Sequence, residues 1–412
     1  MRRQIAAYAL VLAACATVIP DIPRFVSFTV FGVVFVAVGA WALLDTQTLT
    51  ITARPGVLVG TLAVWLALVV GLVRTPTLGG SLRVGAFVVF TGAALFVLPS
   101  VIPRRDVYRA TASAAAAFVF LGLLAAVFGA LGPVGVYRHV AIVGVSYGIP
   151  LSLFANPNTL ASVALLGGLA ASGIALSRRF DEPSTRGRSA AVLAGVCVLA
   201  VALSGSRAAL LALVAGGGVL AVAQVGGPRT TTLVTLGGLA ALVGVLVIAA
   251  VAGVNFSGRL ELWDAAIRGL FARPVFGWGP GADAATLAEF LPSDFRLAGR
   301  YGTHSSYFRL FFIGGIVGGI GYLLLCASGL RGALAAADRD GTTLALCVAV
   351  LVFFIFENGT VFGIAPASFI GALVIGYAQQ QPPEDGPLPV ASSSATVWQW
   401  DIDSAIISFR GW

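Results

Sequence analysis

Residues 230–253 read TTTLVTLGGLAALVGVLVIAAVAG, an uncharged run that is apolar along almost its whole length. A helix needs about 20 such residues to cross the hydrocarbon core of a bilayer, so the stretch reads as a transmembrane helix. Applied to the whole chain, the same rule marks twelve candidate spans, at roughly 4–20, 25–44, 56–73, 82–102, 107–131, 159–176, 189–204, 207–225, 230–253, 306–330, 342–362 and 364–380. The first, behind Met1-Arg2-Arg3, also resembles a signal peptide. Composition agrees with the spans. Of the 412 residues 58% are apolar and 10% charged, against about 25% charged in an ordinary soluble domain, and the mean hydropathy is +0.97. A water-soluble globule and a disordered chain are both excluded. The 51 glycines show no three-residue period and sit inside apolar runs, where small residues let membrane helices approach closely. The fold expected is an all-α polytopic membrane protein with about twelve transmembrane helices and one large outer loop containing an amphipathic helix. Residues 1–380 form the membrane domain, and residues 381–412, rich in proline and serine, read as a flexible cytoplasmic tail.

Arginine supplies all 25 basic residues, and the formal charge is +8. No basic stripe on a polar domain offers a nucleic-acid surface, so the arginines are sorted instead by membrane side. A cytoplasmic start places Arg2, Arg3, Arg104, Arg105, Arg109, Arg178, Arg179, Arg186 and Arg188 inside, with Arg54, Arg229, Arg331 and Arg339. Only Arg24, Arg74, Arg83, Arg138 and Arg207 fall at short outer connections. This bias predicts a cell-membrane protein with both termini cytoplasmic. The four cysteines lie in apolar stretches without metal-ligand spacing, so no metal site and no cofactor is expected.

Residues 254–305 form the one long connection, on the outer side. Within it Leu260, Trp263, Ile267 and Leu270 recur at helical spacing, with Ser257 as N-cap, and predict an amphipathic surface helix over 258–272 that Pro274 ends. Arg259 falls in its first turn, where the helix dipole disfavours a cation, and this points to an anionic partner. Arg268 has Asp264 four residues earlier as an ordinary partner. Arg273, Arg296 and Arg300 are further cations of the loop. Phe276-Gly277-Trp278-Gly279-Pro280-Gly281 reads as a tight interfacial turn, or as a set of backbone N–H groups open to an anion.

His304 stands where the loop enters the tenth span, in Gly302-Thr303-His304-Ser305-Ser306-Tyr307. An imidazole with an ordinary pKa of about 6.5 takes a proton near neutral pH; a histidine there also serves as a helix cap. His139 reads as structural. Arg207 follows Ser204-Gly205-Ser206 at the outer edge, where an arginine either forks two hydrogen bonds to a phosphate or snorkels to lipid headgroups. Glu357, beside Asn358 near the outer end of the eleventh span, needs an arginine partner or a wet cavity. Asn156 before Pro157 reads as the cap of the sixth span. Glu357, Arg300 and Asn156 are secondary site candidates.

Taken in order, Asn156-Pro157-Asn158, Ser204-Gly205-Ser206-Arg207, the run from Arg259 to Gly279, and His304 before Gly314-Gly315-Ile316-Val317-Gly318 resemble the O-antigen ligase family. That family also holds lipid-linked polysaccharide polymerases and pilin oligosaccharyltransferases. The resemblance covers residues 150 to 330. It implies a membrane glycosyltransferase that moves a glycan from a polyprenyl or dolichyl phosphate-linked donor to a hydroxyl of a glycan, lipid or protein acceptor outside the cytoplasm. It also implies phosphate contacts for Arg207 and Arg259 and a catalytic role for His304. Ser305 departs from the asparagine that often follows that histidine in the family. A multi-span transporter or lipid-linked glycan flippase is the alternative, but its sites belong near the bilayer midplane, whereas these candidates gather on an outer loop.

Overall fold

The computed structural model describes residues 1–45, 48–74, 76–128, 136–142, 145–150, 152–154, 156–176, 184–254, 256–282, 284–293, 295, 299, 302–337, 340–380, 396–401 and 406–410. Helices dominate. They are α1 (Arg2–Ala16), α2 (Arg24–Asp45), α3 (Pro55–Arg74), α4 (Leu78–Gly92), α5 (Leu98–Val101), α6 (Arg104–Phe128), α7 (Pro157–Leu176) and α8 (Ser184–Leu203). There follow α9 (Arg207–Val225), α10 (Pro228–Val251), α11 (Arg259–Ala272), α12 (Ala284–Ala288), α13 (Ser306–Ala335), α14 (Gly341–Phe353) and α15 (Pro366–Gln379). The chain is nearly all helical, and among the described residues five short strands accompany the helices. β1 (Thr48–Ala53) pairs antiparallel with β4 (Thr396–Asp401), which pairs with β5 (Ile406–Arg410); β2 (Val136–Ile142) and β3 (Val145–Pro150) form a hairpin. Two of these strands lie in the segment read as a flexible tail.

Among the described residues, eight helices are long and apolar enough to cross a membrane: α2, α3, the α4–α5 composite, α6, α7, α9, α10 and α13. Three more apolar helices, Gly187–Leu203, Gly341–Phe353 and Pro366–Gln379, are shorter, and α1 has 15 residues. The clearest difference from the sequence lies at 342–362, read as one span. The helix stops at Phe353, and 354–365 run as irregular backbone to α15. Hydropathy does not register the break, because Phe354, Phe356, Val361 and Phe362 are apolar and buried.

Close packing follows the small residues. A Cβ added to Gly341 would lie 2.8 Å from Ala223 Cβ, and one on Gly216 would lie 2.8 Å from Ala345 O. α9 therefore runs antiparallel to α14. Gly173 of α7 abuts Thr342 in the same way, so α7 is also antiparallel to α14, and the N-termini of α7 and α9 share the end where α14 stops. Gly60 and Gly321 let α3 lie antiparallel along α13.

Two breaks in the helices are repaired by side chains and loops. Pro99 has no N–H to offer Leu95 O, and a π turn, Ala93–Val97, precedes it. Gln379 Nε2 supplies the missing donor at 3.1 Å. In α13, Gly315 is non-helical at φ 63, ψ −162. Phe312 O and Ile313 O accept from Trp278 N (3.0 Å) and Gly279 N (2.8 Å), and Ile316 N and Val317 N donate to Pro274 O (2.7 Å) and Val275 O (3.2 Å). The 274–279 segment thus lies against the kink as a backbone clasp. A Cβ on Gly277 (φ 61) would lie 2.5 Å from Phe312 O, and one on Gly315 would overlap the Val275 carbonyl.

Gly315→Ala should therefore destabilise the fold. It adds left-handed strain of about 1–3 kcal/mol and pushes the clasp off α13. Thermal unfolding in detergent is expected to show a lowered Tm, while Gly217→Ala, in open space on α9, leaves it near the parent value.

Candidate active site at one end of the helix bundle

The irregular segment after α14 gathers the site. Ser306 N donates to Phe354 O (2.9 Å) and Ser306 Oγ to Glu357 O (3.1 Å). Thr303 Oγ1 donates to Asn358 Oδ1 (2.9 Å) and Arg309 Nη1 to Asn358 O (2.9 Å). These bonds fasten the start of α13 on both sides of His304. The histidine takes φ 45, a left-handed conformation that costs a non-glycine residue about 1–2 kcal/mol and persists where its surroundings over-determine it. It is half-buried. Burial first, and then the charge of Arg259, pull its pKa below the usual 6.5. At neutral pH the imidazole is neutral and able to accept a proton.

α11 forms where the loop periodicity places it, with two corrections. Its N-cap is Gly258, left-handed at φ 77 and without a side-chain cap bond, rather than Ser257. Its buried face is Leu262, Ala265, Ala266 and Gly269, while Ile267 is exposed. Small residues win that face because α13 lies close: the Phe312 ring fills the space beside Gly269. Trp263 stacks on Phe308 at 5.1 Å between ring centroids, and Trp278 Nε1 donates to Gly269 O at 2.9 Å.

Arg259, the first residue of α11, has its anionic partner inside the chain. Its Nη2 lies 3.6 Å from Glu357 Oε1, and its Nε donates to Phe356 O at 3.3 Å. Glu357 Oε1 also accepts from Asn158 Nδ2 at 3.0 Å. Burial pushes the Glu357 carboxyl up to about 7, against the opposing pull of Arg259. Near neutral pH it cancels only part of the arginine's charge.

Arg207 opens α9 behind Ser206, whose side chain accepts from Ala209 N at 3.4 Å. It is exposed, and no hydrogen bond or ion pair holds it among the described residues. The antiparallel register of α9 on α14 places it at the end where Glu357 sits. Asn156 is occupied as the cap of α7, accepting from Asn158 N at 2.8 Å. Arg296 and Arg300 lie outside the described residues.

Other readings of the loop are resolved by the hydrogen bonds. Arg268 pairs with Asp264, as expected; both side chains are more than half exposed, so the pair contributes little to stability. The glycine-rich turn is not an anion cradle. Its N–H groups at Gly277, Trp278 and Gly279 are bonded to Arg273 O, Phe312 O and Ile313 O. Sequence reasoning passed over Asn158, Asn358 and Arg309. Arg309 carried a usable signal, a lone cation within the apolar run 306–330. Asn158 and Asn358 carried none beyond their neighbours.

The His304 environment is testable by its titration. With His139 replaced by Gln, His304 is the one histidine left, and its NMR resonance in detergent should titrate below pH 6.5. Arg259→Gln removes a charge that opposes protonation, so the midpoint should move up towards 6.5. An unchanged midpoint in that variant would contradict the coupling.

Residues 190–323, from α8 into α13, match the family model described as O-antigen ligase, and the matched stretch contains Arg207, Arg259 and His304. No curated protein matches the chain. About a third of the chain is thus similar to that family, and with eight helices among the described residues long and apolar enough to cross a bilayer the match supports a multi-pass membrane protein and, in general, an enzyme of membrane glycan transfer.

Proposed function

We propose that this protein is an inverting, metal-independent glycosyltransferase of the O-antigen ligase or polymerase type. It moves a glycan from a polyprenyl (di)phosphate carrier to an acceptor hydroxyl on the extracytoplasmic side. What supports the reading is the convergence of Arg207, Arg259 and His304 at one end of the bundle, all within the stretch that matches the family. Twelve spans with cytoplasmic termini would put that end outside, in keeping with the arginine distribution.

The chemistry follows from these groups. A sugar bonded to a lipid phosphate already carries a leaving group that needs no protonation. The acceptor oxygen attacks the anomeric carbon from the face opposite the phosphate. The carbon–oxygen bond to phosphate breaks, and its electron pair stays on the phosphate oxygen. Neutral His304 takes the acceptor's proton. Arg207 and Arg259 meet the charge growing on the departing phosphate, so they stabilise the transition state more than the ground state. Glu357 and Asn158 are positioning residues, holding the Arg259 guanidinium from behind.

Transfer assays in proteoliposomes test the assignment. His304→Ala should lower turnover by about 10²–10⁴-fold with a smaller effect on donor affinity. Arg207→Lys and Arg259→Lys should each lose most activity while remaining folded, because an ammonium keeps the charge but not the planar fork. Arg268→Lys should retain activity, since Asp264 accepts either cation, and added chelator should leave the parent active. Parental rates in both site lysine variants would return these arginines to lipid anchoring.

A further inference from the structure

At the end of the bundle opposite His304, a cleft of about 400 Å³ lies between α1 and α8 over α6 and α7. Helix packing sets its place, for α1 packs on α6 and α8 on α7. Ala171 and Ile174 line it on either side of Gly173, which abuts Thr342 at the start of α14. The lining is amphipathic. Gln4, Tyr8, Arg109, Ser113 and Ser189 face Ile174, Leu193 and alanines. Its rims pass into lipid-facing surface, where Ile5 and Leu12 of α1 and Val192 of α8 are exposed.

The polar side is rich in donors, and no carboxylate lines the cleft. Tyr8 OH and Ser113 Oγ lie 3.1 Å apart and hydrogen-bond to each other. One bond between two hydroxyls uses one proton and leaves a second to be donated. The Gln4 carboxamide makes no hydrogen bond among the described residues. Arg109 stands more than a turn inside α6, a helix long and apolar enough to cross a membrane, where a guanidinium needs an anion or water within reach. The surrounding charge is of one sign. Arg2, Arg3, Arg105, Arg109 and Arg188 belong to the four helices of the cleft, Arg104 is answered by Asp340, and Asp106 is the one acid of these helices. Arg178 and Arg179 balance Asp181 and Glu182 in the connection from α7 to α8, so the basic excess stands.

We propose that this cleft binds an anionic phospholipid, with the headgroup phosphate at Arg109, Gln4 and the Tyr8–Ser113 hydroxyls and the acyl chains leaving past Ile174 and Leu193 into the bilayer. A soluble anion gains nothing from the apolar wall, whereas an amphiphile gains from both sides. A basic pocket between membrane helices takes the anionic lipids that its leaflet offers. A zwitterionic lipid fits the same wall but brings its own cation towards Arg109, so selection falls on the net charge of the headgroup. The site is independent of the donor reading, because Arg207, Arg259 and His304 stand at the other end.

Binding of dioctanoyl phosphatidylglycerol and dioctanoyl phosphatidylcholine to the purified full-length protein in detergent tests this. The parent should favour phosphatidylglycerol by about tenfold, the scale of one or two hydrogen bonds to a charged group. Arg109→Gln should bring the two lipids within about twofold of each other. Ala190→Leu fills the cleft without touching a charge and should weaken both lipids together. Tyr8→Phe removes one hydroxyl, keeps the fold, and should weaken phosphatidylglycerol by about threefold. Arg268→Gln, an exposed site at the other end, should change neither affinity. Equal affinity of the parent for the two lipids, or phosphatidylglycerol binding unchanged in both Arg109→Gln and Tyr8→Phe, would overturn the proposal. Glycerol phosphate binding as tightly as the lipid would overturn it too, since the cleft would then be a site for soluble anions.

Discussion

The early stop of α14 is the constraint on which the rest of this site depends. A helix end leaves carbonyls without intrahelical donors, and away from water each must find another partner or cost several kcal/mol. Here the partners come from different elements. Leu351 O takes the Tyr307 hydroxyl (3.0 Å), Phe354 O takes Ser306 N (2.9 Å), Phe356 O takes Arg259 Nε (3.3 Å), and Asn358 O takes Arg309 (2.9 Å). Thr91 Oγ1 reaches Val361 O from the end of α4 (3.3 Å). Backbone satisfaction thereby fixes where α11 and α13 begin, and with them where Arg259 and His304 stand.

A second backbone exchange fixes the other side of α13. The kink at Gly315 removes helical bonds and returns them through the 274–279 clasp, so the loop after α11 is tied to the helix that carries His304. Arg273 lies over the Trp278 ring at 4.1 Å, and Arg74 over Phe276 at 5.5 Å, each contact worth about 0.5–1 kcal/mol at an exposed site. Several cations of this end are thus held by rings and carbonyls rather than by acids. Asp264 on Arg268 and Glu357 on Arg259 are the acids that do pair there among the described residues, and the raised pKa of Glu357 leaves it a weak counter-charge. Burial, and after it the charge of Arg259, holds the pKa of His304 below its usual value.

The far end of the bundle is built differently. Asp340 caps α14, accepting from Thr343 N at 3.1 Å, and pairs with Arg104 at 2.9 Å. Tyr108 reaches Thr343 at 2.6 Å. There the acid answers its arginine locally, and the network joins α6 to α14 without leaving a cation to spare within it.

Hydropathy was enough to mark the eight described helices long and apolar enough to cross a membrane, because transfer from water to lipid acts on each run of about 20 residues independently of the others. Period also located α11 and the Asp264–Arg268 pair, and Asn156-Pro157 announced its own cap, since these depend on neighbours within one turn. The order of weak motifs pointed to Arg207, Arg259 and His304. What sequence could not determine is every feature made by partners far apart in the chain. The pairing of Arg259 with Glu357, the donation from Asn158, the exchange of carbonyls that ends α14 at Phe353, and the choice of Leu262, Ala265 and Gly269 over Ile267 as the inward face all depend on helix packing. In each case a polar group or a close approach has several acceptable solutions locally, and only the neighbouring helix decides which one is satisfied.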